Sequence, residues 1–233
     1  MRWLNRVGLS FRHSEFYWQC TLLIFAVQCD CKIDVATYPS RLILASASPR
    51  RKALLSAAGL RFDVIESGID EIRWVGESGR EYALRVASEK ALTVSTKVPD
   101  ALVLAADTIV VCNDAILVKP RGEDEARRML AMLSGRPHTV VTAYALACIR
   151  AIIEAAAVIS QVTFRPLSNA EIDEYVATGE PLDKAGAYGI QGKGADFIAK
   201  VVGSRDNVMG LPLREVLAAL ARSGISPQPE IAG

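Results

Sequence analysis

Residues 101–112 read Ala-Leu-Val-Leu-Ala-Ala-Asp-Thr-Ile-Val-Val-Cys, a nearly unbroken apolar run. A strand with one wet face would alternate. This run does not, so it predicts a strand covered on both faces. Two polar residues interrupt it. An ionised carboxylate inside a sheet is costly unless it is paired or bound to a metal. Asp107 is therefore the leading catalytic candidate, set against a purely structural hydrogen-bonded aspartate.

The elements around this strand punctuate themselves. Leu42-Ile43-Leu44-Ala45 reads as a buried strand that breaks into Ser46-Ala47-Ser48-Pro49-Arg50-Arg51. Ser48 suits an N-cap and Pro49 the first helical position. Arg50 and Arg51 then fall in the first turn, where the helix dipole disfavours cations. An arriving anion would explain them, because free N–H groups at a helix start bind phosphate; a capped surface helix with a basic start is the other reading. The helix over 49–58 closes at Gly59, and Arg61–Ile65 reads as a second strand. Ser78 and Glu81 form a capping box for a helix to about Ser95, with Ala83, Val86, Ala87, Ala91 and Val94 as its apolar stripe. Lys90 lies in that stripe, where a lysine usually snorkels to the edge.

Asn113-Asp114 predicts a tight turn, and 115–118 a returning strand that delivers Lys119-Pro120 to its end. A helix follows at about 123–133. Runs at 139–149 and 156–166 read as a hairpin about Arg150, which makes the sheet mixed. Ser168 and Glu171 cap another helix, which stops at Gly179. The stretch 183–194 is glycine-rich and matches neither GxGxxG nor a P-loop, so its composition supports a binding loop or a flexible one. A strand at 197–202 and a helix near 212–223 finish the pattern. His138 reads as a structural strand-end histidine rather than a catalytic one, and no GxSxG motif supports a serine nucleophile.

The formal charge of +1 gives no global field for nucleic acid, and no aromatic–basic stripe appears. The five cysteines form no CxxC pair, so neither a disulfide framework nor a zinc site is indicated, and a reducing cytoplasm is expected. Cys112 and Cys148, in apolar runs, read as buried thiols. Residues 1–40 differ in character and read as an N-terminal extension, either a start placed too far upstream or a poorly ordered arm. Their apolar run at 21–27 is too short to span a bilayer, and no small-residue cleavage site follows it. Residues 225–233 read as a loose tail.

Several motifs stand in one order: Leu-Ala-Ser-Ala-Ser-Pro-Arg-Arg at 44–51, Ser-Glu-Lys-Ala at 88–91, Ala-Ala-Asp-Thr at 105–108, Lys119-Pro120, Leu-Ser-Gly-Arg at 133–136 with His138 and Thr142, Asp-Lys-Ala-Gly-Ala-Tyr-Gly-Ile-Gln-Gly at 183–192, and Val-Met-Gly-Leu-Pro at 208–212. Over residues 41–224 the chain resembles the Maf family of nucleoside triphosphate pyrophosphatases. The resemblance implies an α/β fold of the inosine-triphosphatase-like kind, with a mixed sheet flanked by helices and a cleft between two lobes. It implies metal-dependent hydrolysis of a nucleoside triphosphate to the monophosphate and pyrophosphate, with Mg²⁺ first and Mn²⁺ second as the cation. The glycine-rich loop resembles the dTTP and UTP branch rather than the 7-methyl-GTP branch, and a homodimer is the assembly expected of such folds. A non-catalytic role in halting septum formation is the alternative.

On this resemblance, Ser46, Ser48, Arg50 and Arg51 hold phosphate oxygens, while Lys90 and Lys119 neutralise charge on the α-phosphate and the leaving pyrophosphate. Asp107 orients or deprotonates the attacking water. Glu71 joins Asp107 as a metal ligand, with Asp70 the less favoured neighbour. Arg50, Thr108 and Gln191 select the base. No nucleic acid or membrane partner is expected.

Overall fold

The computed structural model describes residues 39–227. The readings of residues 1–38, including Cys20, Cys29 and Cys31, and of the tail beyond residue 227 lie outside the described residues. A mixed seven-stranded sheet organises the chain, in the order β2-β1-β3-β5-β6-β7 with β4 on β3. Its strands are β1 (Leu42–Leu44), β2 (Asp63–Val64), β3 (Leu102–Cys112), β4 (Ala115–Leu117), β5 (Pro137–Cys148), β6 (Ala151–Phe164) and β7 (Ile198–Val202). β1 runs parallel to β2 and β3, whereas β3, β5, β6 and β7 pair antiparallel in turn.

The helices are α1 (Pro49–Ala57), α2 (Gly79–Ser95), α3 (Glu123–Leu133), α4 (Asn169–Val176), α5 (Arg205–Met209) and α6 (Leu213–Arg222). Alternation along β1 shows how they cover the sheet. Leu42 and Leu44 pack with Leu54 and Leu55 of α1 and with Val216 and Leu220 of α6. Ile43, one residue on, faces the other side with Val86, Ala87 and Ala91 of α2. β3 is indeed buried on both faces. Farther along it, Val110 and Cys112 join a third cluster with Leu130 of α3 and Tyr175 of α4. The third cluster and the first two form two lobes on one sheet.

Both hairpin turns place non-glycine residues in the left-handed region, Asn113 and Asp114 at φ 48° and 63°, Ile149 and Arg150 at φ 48° and 65°. That is the conformation of a two-residue turn matching sheet twist. The structure departs from the sequence expectations at three places. β2 is two residues long, because only Asp63 and Val64 find partners on β1. β6 starts at Ala151 rather than 156, so its hairpin with β5 closes directly at Ile149-Arg150. The five-residue α5 was not anticipated. No helix among the described residues is long and apolar enough to cross a membrane.

Candidate active site

Where the two lobes meet, a cleft of about 400 Å³ is lined from eight directions: residues 45–51, 66–69 with Glu71, Lys90, Asp107 and Thr108 with Val110, 118–119, Val140, 183–185 with Tyr188, Ile190 and Gln191, and 208–210. Every site residue expected from the sequence lines it: Ser46, Ser48, Arg50, Arg51, Glu71, Lys90, Asp107, Thr108, Lys119 and Gln191. Asp70 does not. Its carbonyl instead accepts from Ile72 N in the local turn.

The floor of the cleft is an ion cluster. Lys90, from the buried stripe of α2, places Nζ 2.8 Å from Asp107 Oδ1 and 2.7 Å from Glu71 Oε1. The ammonium does not snorkel; it crosses to the sheet and meets both carboxylates. Burial pushes the Asp107 carboxyl above its ordinary range, an effect that Lys90 offsets in part and the Glu71 charge reinforces. Glu71, its side chain 36 % exposed, goes the other way. Burial would raise it, but the charge and hydrogen bond of Lys90, with help from Lys119 and Arg51, hold it below the usual carboxylate range. Burial and the shared ammonium thus pull the two carboxylates in opposite directions.

The second oxygen of each carboxylate takes no hydrogen bond among the described residues, and both residues line the cleft. Two hard oxygen donors suit a divalent cation that completes its shell with water and phosphate oxygens, as Mg²⁺ does. Among the described residues no group of three or more His, Cys, Asp or Glu stands ready to hold a metal by itself. The donor set therefore fits a cation held jointly with substrate better than a closed structural site.

The arginine pair divides its work. Ser48 caps α1, accepting from Arg51 N, and Ser48 N donates to Ser46 Oγ. Arg50 crosses the cleft mouth to Asp183, Nη1 to Oδ2 at 3.1 Å. Arg51 is turned inward. Its Nε donates to Gly210 O at 2.7 Å, Nη1 to Ser46 Oγ at 3.1 Å and Nη2 to Thr108 Oγ1 at 3.1 Å. It ties α1, β3 and the turn after α5 together, which differs from the simple phosphate-gripping pair expected from sequence. Thr108 in turn meets Thr142, whose hydroxyl donates to Asn207 O. Gly210 belongs to the Val-Met-Gly-Leu-Pro motif, which was the available signal for this tie. Lys119, exposed at the end of β4, has no ion-pair partner among the described residues. Gln191, also exposed, lines the cleft from the glycine-rich loop.

His138 stands behind the glycine-rich loop, 3 % exposed, with Nε2 2.8 Å from the Tyr188 hydroxyl and its ring edge-on to Phe164 and Tyr188. Burial lowers it to about 4, so it is neutral near pH 7 and does structural duty. Cys112 and Cys148 are buried free thiols whose pKa burial raises.

The Maf-like protein family model matches residues 41–223. The dTTP/UTP pyrophosphatase of Anaeromyxobacter dehalogenans strain 2CP-1 is 52% identical over 190 residues, covering 79% of this chain and 94% of that one. The dTTP/UTP pyrophosphatase of Myxococcus xanthus is 50% identical, covering 79% of this chain and 93% of that one. That of Escherichia coli O157:H7 is 50% identical, covering 77% and 91%. Among solved structures, a HAM1 protein from Coxiella burnetii aligns at a TM-score of 0.44 with 14% identity, over 78% of this chain and 98% of that one. So loose a superposition adds nothing to the sheet order described above.

Proposed function

The chain belongs to the Maf-like protein family, and from that premise and the chemistry of the cleft we propose that it hydrolyses dTTP and UTP to the monophosphate and pyrophosphate. The observation that carries this reading is the Glu71–Lys90–Asp107 cluster at the cleft floor. A buried Lys90–Asp107 pair beside a partly exposed Glu71 is expensive to maintain, and a non-catalytic interaction protein has no use for it.

In this reading the triphosphate enters with its charge facing Arg50, Lys119 and the N-terminus of α1. Arg50 exchanges Asp183 for phosphate oxygens. The oxygen of Asp107 not engaged by Lys90 accepts a proton from water as that water attacks the α-phosphorus. The bond from the α-phosphorus to the α–β bridging oxygen breaks, and its electron pair leaves with pyrophosphate. Lys90 and Lys119 lie where negative charge grows on the non-bridging and leaving oxygens, and stabilisation there lowers the barrier. A divalent cation held by Glu71 and Asp107 would supply Lewis-acid neutralisation of the phosphate oxygens. Burial raises Asp107 toward the pH at which a base works well.

For the base, Gln191 offers donor and acceptor together, which matches the imide edge of uracil or thymine. Thr108 and Arg50 complete the set. Each such hydrogen bond contributes about 1–3 kcal/mol of discrimination, enough for a preference among nucleotides.

The test is pyrophosphate release by the purified chain with dTTP, UTP, CTP, 7-methyl-GTP and ATP, with and without Mg²⁺. Cation-dependent turnover of dTTP and UTP above the others is expected. A folded protein that releases pyrophosphate from none of them overturns the reading.

A further inference from the structure

Glu71 is carried by residues 65–78, a stretch without helix or strand between β2 and α2. Ile65 and Ile69 pack on the core at its start, but little apolar burial holds the part beyond Glu71: Ile72 is 66 % exposed and Trp74 54 %. Polar ties to α2 hold that part of it, and three of them end on one side chain. Arg85 grips Glu77 with both arms of its fork, Nε to Oε1 at 2.7 Å and Nη2 to Oε2 at 2.8 Å. Nη2 also donates to Ile72 O at 2.8 Å, and Nη1 reaches Glu89 at 3.1 Å. The guanidinium carbon sits 4.1 Å from the centroid of the Trp74 ring. The ion pair is largely withdrawn from water, with Arg85 and Glu77 side chains 13% and 7% exposed. Glu77 returns the hold, accepting from Trp74 N at 3.2 Å. Tyr82, three residues earlier on the same helix, donates its hydroxyl to Glu71 O at 3.1 Å.

The consequence lies in the helix itself. Lys90, which receives the Glu71 carboxylate, stands five residues beyond Arg85 on α2. One rigid element therefore carries both the ammonium that meets Glu71 and the clamp that fixes the backbone presenting it. We propose that Arg85 is a positioning residue for the cleft chemistry: by binding residues 72–77 to α2 it sets the Glu71 carboxylate on Lys90 and beside Asp107. The role rests on the pyrophosphatase reading of the cleft. It requires arginine, since a planar fork that is both bidentate and stacked has no lysine equivalent.

The experiment compares Arg85→Met and Arg85→Lys in the full chain, alone and combined with Glu71→Gln. Steady-state kinetics with dTTP and Mg²⁺ are read beside the NOE between the Glu71 Hγ and Lys90 Hε protons at one fixed pH. Both Arg85 variants are expected to lower kcat by about 10- to 100-fold, the cost typical of losing a supporting shell, with KM for dTTP moving far less. In the double variant the two losses should not multiply, because both act through one carboxylate. The Glu71–Lys90 NOE should be lost once the clamp is gone. Multiplying losses, or an unchanged Glu71–Lys90 NOE in the Arg85 variants, overturns the proposal. Where Arg85→Met does not fold, Arg85→Lys and Trp74→Ala, on an exposed ring, carry the same comparison. A wild-type chain that hydrolyses no nucleotide sinks the pyrophosphatase reading, while the NOE still decides whether Arg85 sets Glu71.

Discussion

Asp107 and Glu71 meet the same ammonium, yet burial divides their chemistry. Asp107, sunk in β3, is raised, whereas Glu71, open to the cleft, is lowered. A raised carboxylate is a stronger base but is lost sooner as pH falls, since it protonates at its own higher pKa. The acid limb of kcat/KM is therefore expected above the ordinary aspartate value of about 3.9, and a limb at or below that value would contradict the assignment. Asp107→Asn keeps the shape and removes the base; kcat for dTTP should drop by about 10²- to 10⁴-fold, with the fold retained by circular dichroism. Full activity in that variant would take Asp107 out of the chemistry. Asp107 was legible in the sequence because it is a charge set in an apolar strand, whereas the helical stripe that holds Lys90 pointed to snorkelling, and only the family motifs put Lys90 in the site. The partners of Arg51 were not, since Gly210 lies 159 residues away and only the folded sheet brings the two together.

Elements that announce themselves by local chemistry were the ones the sequence revealed. The capping boxes at Ser78–Glu81 and Ser168–Glu171 both form, and the stripe of α2 is buried at each expected position. β6 was read short because Ala-Ile-Ile-Glu-Ala-Ala-Ala-Val has no strand alternation and is rich in helix formers; long pairing with β5 overrides that preference. α5 is a little over one turn, too brief for any periodicity. The glycine-rich stretch was ambiguous by composition, and packing resolves it. Gly186 sits at φ +68°, and a Cβ there would lie 2.8 Å from a methyl of Val110, on the strand that carries Asp107. Gly186→Ala should cost about 1–3 kcal/mol from backbone strain and overpacking. It should also raise KM for dTTP, because the displaced loop carries Gln191. Unchanged thermal unfolding and unchanged KM would show the loop to be slack at that point.

At the scale of the whole fold, the response to acid depends on groups that must change charge before the lobes come apart. Asp107 is raised on folding, so its contribution favours the native state as pH falls, the reverse of acid denaturation. The lowered carboxylates, among them Glu71, Glu77, Glu154, Glu171 and Asp183, lose their stabilisation only toward the acid end of the carboxylate range. His138 acts earlier. Folding drops it from 6.5 to about 4, so its stabilising contribution is complete above pH 6.5 and is lost as pH falls from there toward 4. A shift of that size corresponds to about 3 kcal/mol across the window. The ring joins Tyr188 of the glycine-rich loop to β5, and its edge packs on Phe164 of β6. Protonation therefore strains the lobe that carries Gln191 rather than a peripheral turn. The unfolding temperature should decline between pH 6.5 and 4, and His138→Gln, less stable at pH 7, should show a flatter profile over the same interval. Parallel profiles for the two proteins would mean that acid enters through another group.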